Sequence, residues 1–143
     1  MGLALAEAAL APAHDDVPVG AVVIDSGGTV VGRGHNRREV DADPLGHAEL
    51  MALSAAAEAV GRWRLDDCTL VVTLEPCAMC AGALVGSRIA RVVYGAFDDK
   101  AGAVGSMWDL LRDRAALHHP EVVSGVRADE GKALLREFFA SRR

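Results

Sequence analysis

His47-Ala48-Glu49 and Pro76-Cys77-Ala78-Met79-Cys80 offer one imidazole, two thiols and one carboxylate in two short runs. Three positions apart on a helix, Cys77 and Cys80 share one face, with Cβ atoms about 5–6 Å apart. A place in the first helical turn sets both thiols at the positive end of the dipole, which favours thiolates. With a neutral nitrogen from His47 the donor set suits zinc and leaves a fourth position for water. Zinc brings such a water to a pKa near ~7. Glu49 then stands where it can relay protons, as base for attack and acid for the leaving group. Cys-x-x-Cys alone also fits a redox dithiol or half of a structural zinc site. Cys68 would complete a closed site of three thiolates and one imidazole, although its apolar strand favours a buried structural thiol.

These residues need helix starts and a sheet to hold them. Leu3, Ala6 and Leu10 fall at helical spacing and give an amphipathic first helix. Val17–Ile24 and Thr29–His35 read as a hairpin around Ser26-Gly27-Gly28. A loop over 41–46 precedes a helix from His47 to Val60, stopped by Gly61. Cys68–Thr73 is a buried strand, and Pro76 opens a helix to about Val85. Strands follow at Ile89–Tyr94 and Glu121–Val126, with a helix near Ser106–Ala115 between them and a last helix from about Ala128 to Ala140. The order implies an α/β fold, three layers α/β/α around a mixed sheet of about five strands. The long crossover permits a parallel pairing of the last two strands, which is the expectation.

One domain over 1–143 is the expectation for 143 residues. The hydrophobic content of 51% excludes intrinsic disorder. Three cysteines are too few, and odd in number, for a disulfide framework. No apolar run approaches the ~20 residues of a membrane span, so a soluble cytoplasmic protein is expected. The net charge of -5 argues against a protein held on nucleic acid by bulk positive charge.

His-x-Glu followed by Pro-Cys-x-x-Cys is far more specific than either part and matches the signature of zinc nucleobase deaminases. The chain resembles the cytidine-deaminase-like superfamily and, within it, the bacterial tRNA adenosine deaminases. The resemblance runs through Val17-Pro-Val-Gly-Ala-Val22, Gly34-His-Asn36, Thr73-Leu-Glu-Pro-Cys77 and the stretch Gly95–Ser106. It implies His47, Cys77 and Cys80 as ligands of one Zn2+ and Glu49 as proton shuttle. The implied reaction is attack of zinc hydroxide on C6 of the wobble adenosine of a tRNA, an arginine tRNA being the expected one, to give inosine. The flipped base would come from the anticodon stem-loop, already partly unstacked, with DNA not expected as the natural substrate.

The resemblance further implies Asn36 and Ala48 on the base, Asp98 on the ribose, and a homodimer. Phe97 and Leu45 depart from the family, where arginine and threonine are common; Phe97 could stack on a nucleotide instead. Arg37, Arg38, Phe97, Lys100, Arg142 and Arg143 are the candidate RNA contacts. Several of these cations are expected around the pocket mouth, with Asp and Glu on remote faces. A free guanine or cytosine deaminase, or a non-catalytic zinc-stabilised binding module, are the alternatives.

Overall fold

The computed structural model describes residues 1–143. Its elements are α1 (Gly2–Ala8), β1 (Gly20–Ile24), β2 (Val30–His35), α2 (Ala48–Val60), β3 (Thr69–Leu74), α3 (Ala78–Gly86), β4 (Arg91–Ala96), β5 (Glu121–Val123) and α4 (Ala128–Ala140). One sheet runs in the order β2-β1-β3-β4-β5. β1 is antiparallel to β2 and β3, whereas β3, β4 and β5 are parallel. The expected mixed sheet with its last two strands parallel is therefore present.

Alternation along the strands builds two apolar layers, because successive side chains leave a strand on opposite faces. Ala21, Val23, Leu70 and Val72 join Ala48, Ala52, Ala56, Ala81 and Leu84 in the larger core beneath α2 and α3. Val22 and Val71 join Ala4 of α1 in a smaller one on the opposite face. Gly34 lets α2 lie directly on β2: a Cβ there would meet the Ala48 carbonyl oxygen at 2.5 Å and the Ala52 nitrogen at 2.7 Å. That approach brings the end of β2 and the start of α2 together, which is what the site requires.

Three local expectations change. The inner face of the first helix is Ala4 and Ala8, while Leu3 and Leu10 are exposed. α1 ends at Ala8, and a 3-10 turn over Ala11–His14 with Pro12 follows. Small residues win because the helix backbone lies against β1. No helix forms over 106–115. The Leu110 N–H, which in a helix over 106–115 would bond to the Ser106 carbonyl, goes to the Ala103 carbonyl at 2.9 Å. The loop before it is held by Met107 and Trp108 N–H on the Gly102 carbonyl and by Ser106 N–H on the Glu75 carboxylate. The last strand is also shorter than expected, ending at Val123. No helix of the chain is long and apolar enough to cross a membrane.

Candidate active site

Two chain turns build the floor of the site. His47 is the N-cap residue of α2 and Cys77 that of α3, both in extended backbone conformation, with Cys80 one turn into α3. The Cys77 and Cys80 Sγ atoms lie 3.6 Å and 3.5 Å from His47 Nδ1. The three ligand atoms all fall within 4.8 Å of one another. With tetrahedral bonds of about 2.3 Å to sulfur and 2.0–2.1 Å to nitrogen, a zinc ion spaces S and N by about 3.6 Å. The residues present therefore fit zinc. Cys68 takes no part: it is buried just before β3, at the far end of the strand, where its thiol donates to Asp67.

The donor set is also electrostatically poised. Hydrogen bonds from Cys80 and His47 pull the Cys77 thiol down to about 3, and the hydrogen bond to Cys77, followed by burial, pushes the Cys80 thiol upward. The hydrogen bond to Cys77 raises His47. A dication placed among these groups replaces the shared protons. Glu49 is 4% exposed. Burial pushes its carboxyl up to about 6, against the lowering effects of its own N–H and of His47.

The cavity above this floor holds about 390 Å³ and is lined by His47, Glu49 and Cys77 together with Asn36, Arg38, Glu75, Asp98, Phe138 and Arg142. Asn36 Oδ1 accepts the Ala48 N–H at 3.0 Å, capping α2 and leaving the amide NH2 for the cavity. Ala48 is fully buried, its N–H committed to Asn36, and does not line the cavity. Asp98 Oδ1 accepts from the N–H groups of Lys100 and Ala101, so one oxygen holds a turn and the other has no partner in the chain.

The candidate RNA contacts divide. Arg38 and Arg142 line the cavity. Arg142 is already paired with Asp15 at 2.7 Å and lies over the Phe138 ring. Arg37 stands outside the cavity lining, in a two-bond pair with Asp41 at 2.7 and 2.9 Å. Phe97 is 46% exposed and meets Tyr94 edge-on. Lys100 and Arg143 are exposed. The expectation that Asp and Glu keep to remote faces is overturned: Asp15, Asp16, Glu39, Glu49, Glu75 and Asp98 all line the cavity, against two arginines. Arg62 and Arg64 sit past the end of α2 in pairs with Asp67 and Asp66.

Two acidic residues escaped the sequence reading. Asp16, nearly fully buried, accepts from Glu39 N–H at 3.0 Å and Val40 N–H at 3.3 Å, tying down the loop after Asn36. Glu75 accepts from Asp98 N–H (3.0 Å), Val104 N–H (3.1 Å), Ser106 N–H (2.9 Å) and the Ser106 hydroxyl. The available signal was an acidic residue at the end of a wholly apolar strand, next to Pro76-Cys77.

Comparison with known proteins agrees with this geometry. The model of the cytidine and deoxycytidylate deaminase zinc-binding region matches residues 1–96. The chain is 52% identical over all of its 143 residues to a tRNA(Ile)-lysidine synthase of Deinococcus radiodurans, of whose length it spans 24%. It is 45% identical over 140 residues (98% of this chain, 86% of the other) to the tRNA-specific adenosine deaminase of Bacillus subtilis. A solved tRNA:A34 deaminase, studied for A-to-I editing at the wobble position, superposes with a TM-score of 0.91 at 43% identity, covering 94% of this chain and 97% of that one. With the His47, Cys77 and Cys80 triangle inside the matched region, the chain belongs to the cytidine and deoxycytidylate deaminase family.

Proposed function

We propose that residues 1–143 form one zinc-dependent deaminase domain that converts adenosine to inosine at the wobble position of tRNA. The observation that carries this reading is a metal-ligand triangle of His47, Cys77 and Cys80 with the buried Glu49 carboxylate beside it, at the foot of a cavity also lined by Asn36 and Asp98. Likeness to named tRNA adenosine deaminases across nearly the whole chain supports the substrate class.

His47, Cys77 and Cys80 would hold the zinc, whose Lewis acidity makes water a nucleophile at neutral pH. Glu49 accepts a proton from the attacking water and passes it to purine N1. It then takes the second from the hydroxyl added at C6 and passes it to the amino group, which leaves as ammonia, so adenosine and water give inosine and ammonia. The Asn36 NH2 donates to the purine, oriented by the bond its oxygen accepts from Ala48. Asp98 offers its unpartnered oxygen to a ribose hydroxyl, a group that separates RNA from DNA. Arg38 and, after parting from Asp15, Arg142 meet phosphates at the mouth. A homodimer that completes the RNA surface, and a cytoplasmic location alongside tRNA, belong to the same reading.

Incubation with an anticodon stem-loop and, separately, with free guanine, cytosine and adenine tests it. Inosine in the RNA is the expected product. Ammonia released from free base alone would replace this reading with that of a nucleobase deaminase. No product from any of them, in protein carrying stoichiometric zinc, would leave a binding module.

A further inference from the structure

Glu75 stands between the last residue of β3 and Pro76, 2% exposed, and is neither a metal ligand nor within the shuttle's role. Its two oxygens divide four donors evenly. Oε1 takes the N–H groups of Val104 and Ser106, and Oε2 takes the Asp98 N–H and the Ser106 hydroxyl. The loop over 98–106 is thus wound around a carboxylate whose own position is set by the central strand. Gly102 permits the closure, since a Cβ there would meet Glu75 Cδ and Oε2 at 2.5 Å. The same loop is stitched to the turn that carries Cys77, through the Ala103 N–H to the Pro76 carbonyl at 2.8 Å and a Cys77–Gly102 bridge. Asp98 therefore has its backbone pinned by Glu75 at one end of a loop fastened beside the metal ligands. A buried carboxylate with four donors costs little to keep, whereas those donors, left without it, would be stranded in a dry wall.

We propose that Glu75 is a positioning residue for the reaction: it fixes the wall formed by 98–106, and so holds Asp98 at the spacing from the metal triangle that a base with its ribose attached requires. What Asp98 touches rests on the proposed function; the anchoring of the loop does not. A carboxylate is needed because Gln in the same place offers one acceptor oxygen and one NH2, so its NH2 would face two of the four donors.

The test uses E75Q, the milder S106A, and each combined with D98A, in zinc-loaded protein. Amide exchange without substrate, zinc content, and kcat and KM on the stem-loop are read for each. E75Q should keep its zinc, speed exchange at Asp98, Val104 and Ser106 by at least about tenfold, and raise KM by roughly tenfold with kcat changed less than about threefold. S106A should show the same pattern more weakly. Because Glu75 acts through Asp98, E75Q added to D98A should raise KM little beyond D98A alone. Unchanged exchange at the three amides, or E75Q and D98A effects that simply multiply, would overturn the proposal. If the wild-type chain makes no inosine the functional reading fails by itself, and the exchange measurement still decides whether Glu75 anchors the loop.

Discussion

Glu49 and Glu75 are two glutamates buried beside one cavity, and their surroundings shift them in opposite directions. Around Glu49 the chain supplies thiols, an imidazole and apolar helix packing, so burial dominates and lifts its carboxyl to about 6. Burial also pushes Glu75 upward, but the hydrogen bonds from Ser106, Asp98 and Val104 outweigh it and hold the group below the ordinary glutamate value. The difference lies in the donors. A carboxylate with its lone pairs filled is a fixed strut; one left short of donors can gain and lose protons at modest cost. On the proposed reading the molecule thus separates the group that would move protons from the group that would hold the wall, although the two stand on adjoining turns.

Removing a zinc ligand should break the comparison on one side only. C80S is expected to lose stoichiometric zinc and fall below detectable turnover, while the Asp98, Val104 and Ser106 amides stay protected from exchange. Metal analysis and exchange on one sample check both halves. Equal loss of protection around Glu75 would mean that the metal, and not the carboxylate, organises that wall.

Stability should then sort the two glutamates. E75Q strands buried donors and should lower unfolding free energy by about 1–3 kcal/mol, whereas E49Q removes a poorly solvated charge and should be neutral or slightly stabilising. Urea midpoints of the zinc-loaded variants, with an unchanged m-value, give the comparison. A larger loss for E49Q than for E75Q would contradict it.

The smallest expected effect sharpens the view of the mouth. Arg38 lines the cavity and makes no ion pair, while Arg37 is satisfied by Asp41. R38A should therefore reduce the log–log salt slope of stem-loop binding by about 0.7, the value for one phosphate on a single strand, and R37A by distinctly less. Equal slopes for the two variants would remove Arg38 from the phosphate path. With six carboxylates lining the cavity, the proposed function places recognition in the base, the ribose and loop shape more than in net charge.

The same contrast separates what the sequence discloses from what it hides. His47, Glu49, Cys77 and Cys80 were legible because each pair sits within one turn of a helix start, so spacing along the chain is spacing in the site. The parallel strands were legible from the length of the crossover. Glu75 was not, because its partners lie 23, 29 and 31 residues further along the chain. The missing helix at 106–115 was hidden too: apolar spacing shows periodicity but not that the Leu110 N–H pairs with the Ala103 carbonyl instead of the Ser106 one. Asp15 and Asp16 at the mouth were hidden likewise, since only the fold brings the end of the 3-10 turn to the loop after β2.

The central claim is that His47, Cys77 and Cys80 hold the metal while Glu49 moves the protons. It is tested most directly by measuring zinc content and inosine formation together in the wild-type chain and in E49Q. Both should carry one zinc, and E49Q should turn over the stem-loop about 10²–10⁴-fold more slowly. Wild-type turnover by E49Q, or a zinc content far below one in the active wild-type chain, would contradict it.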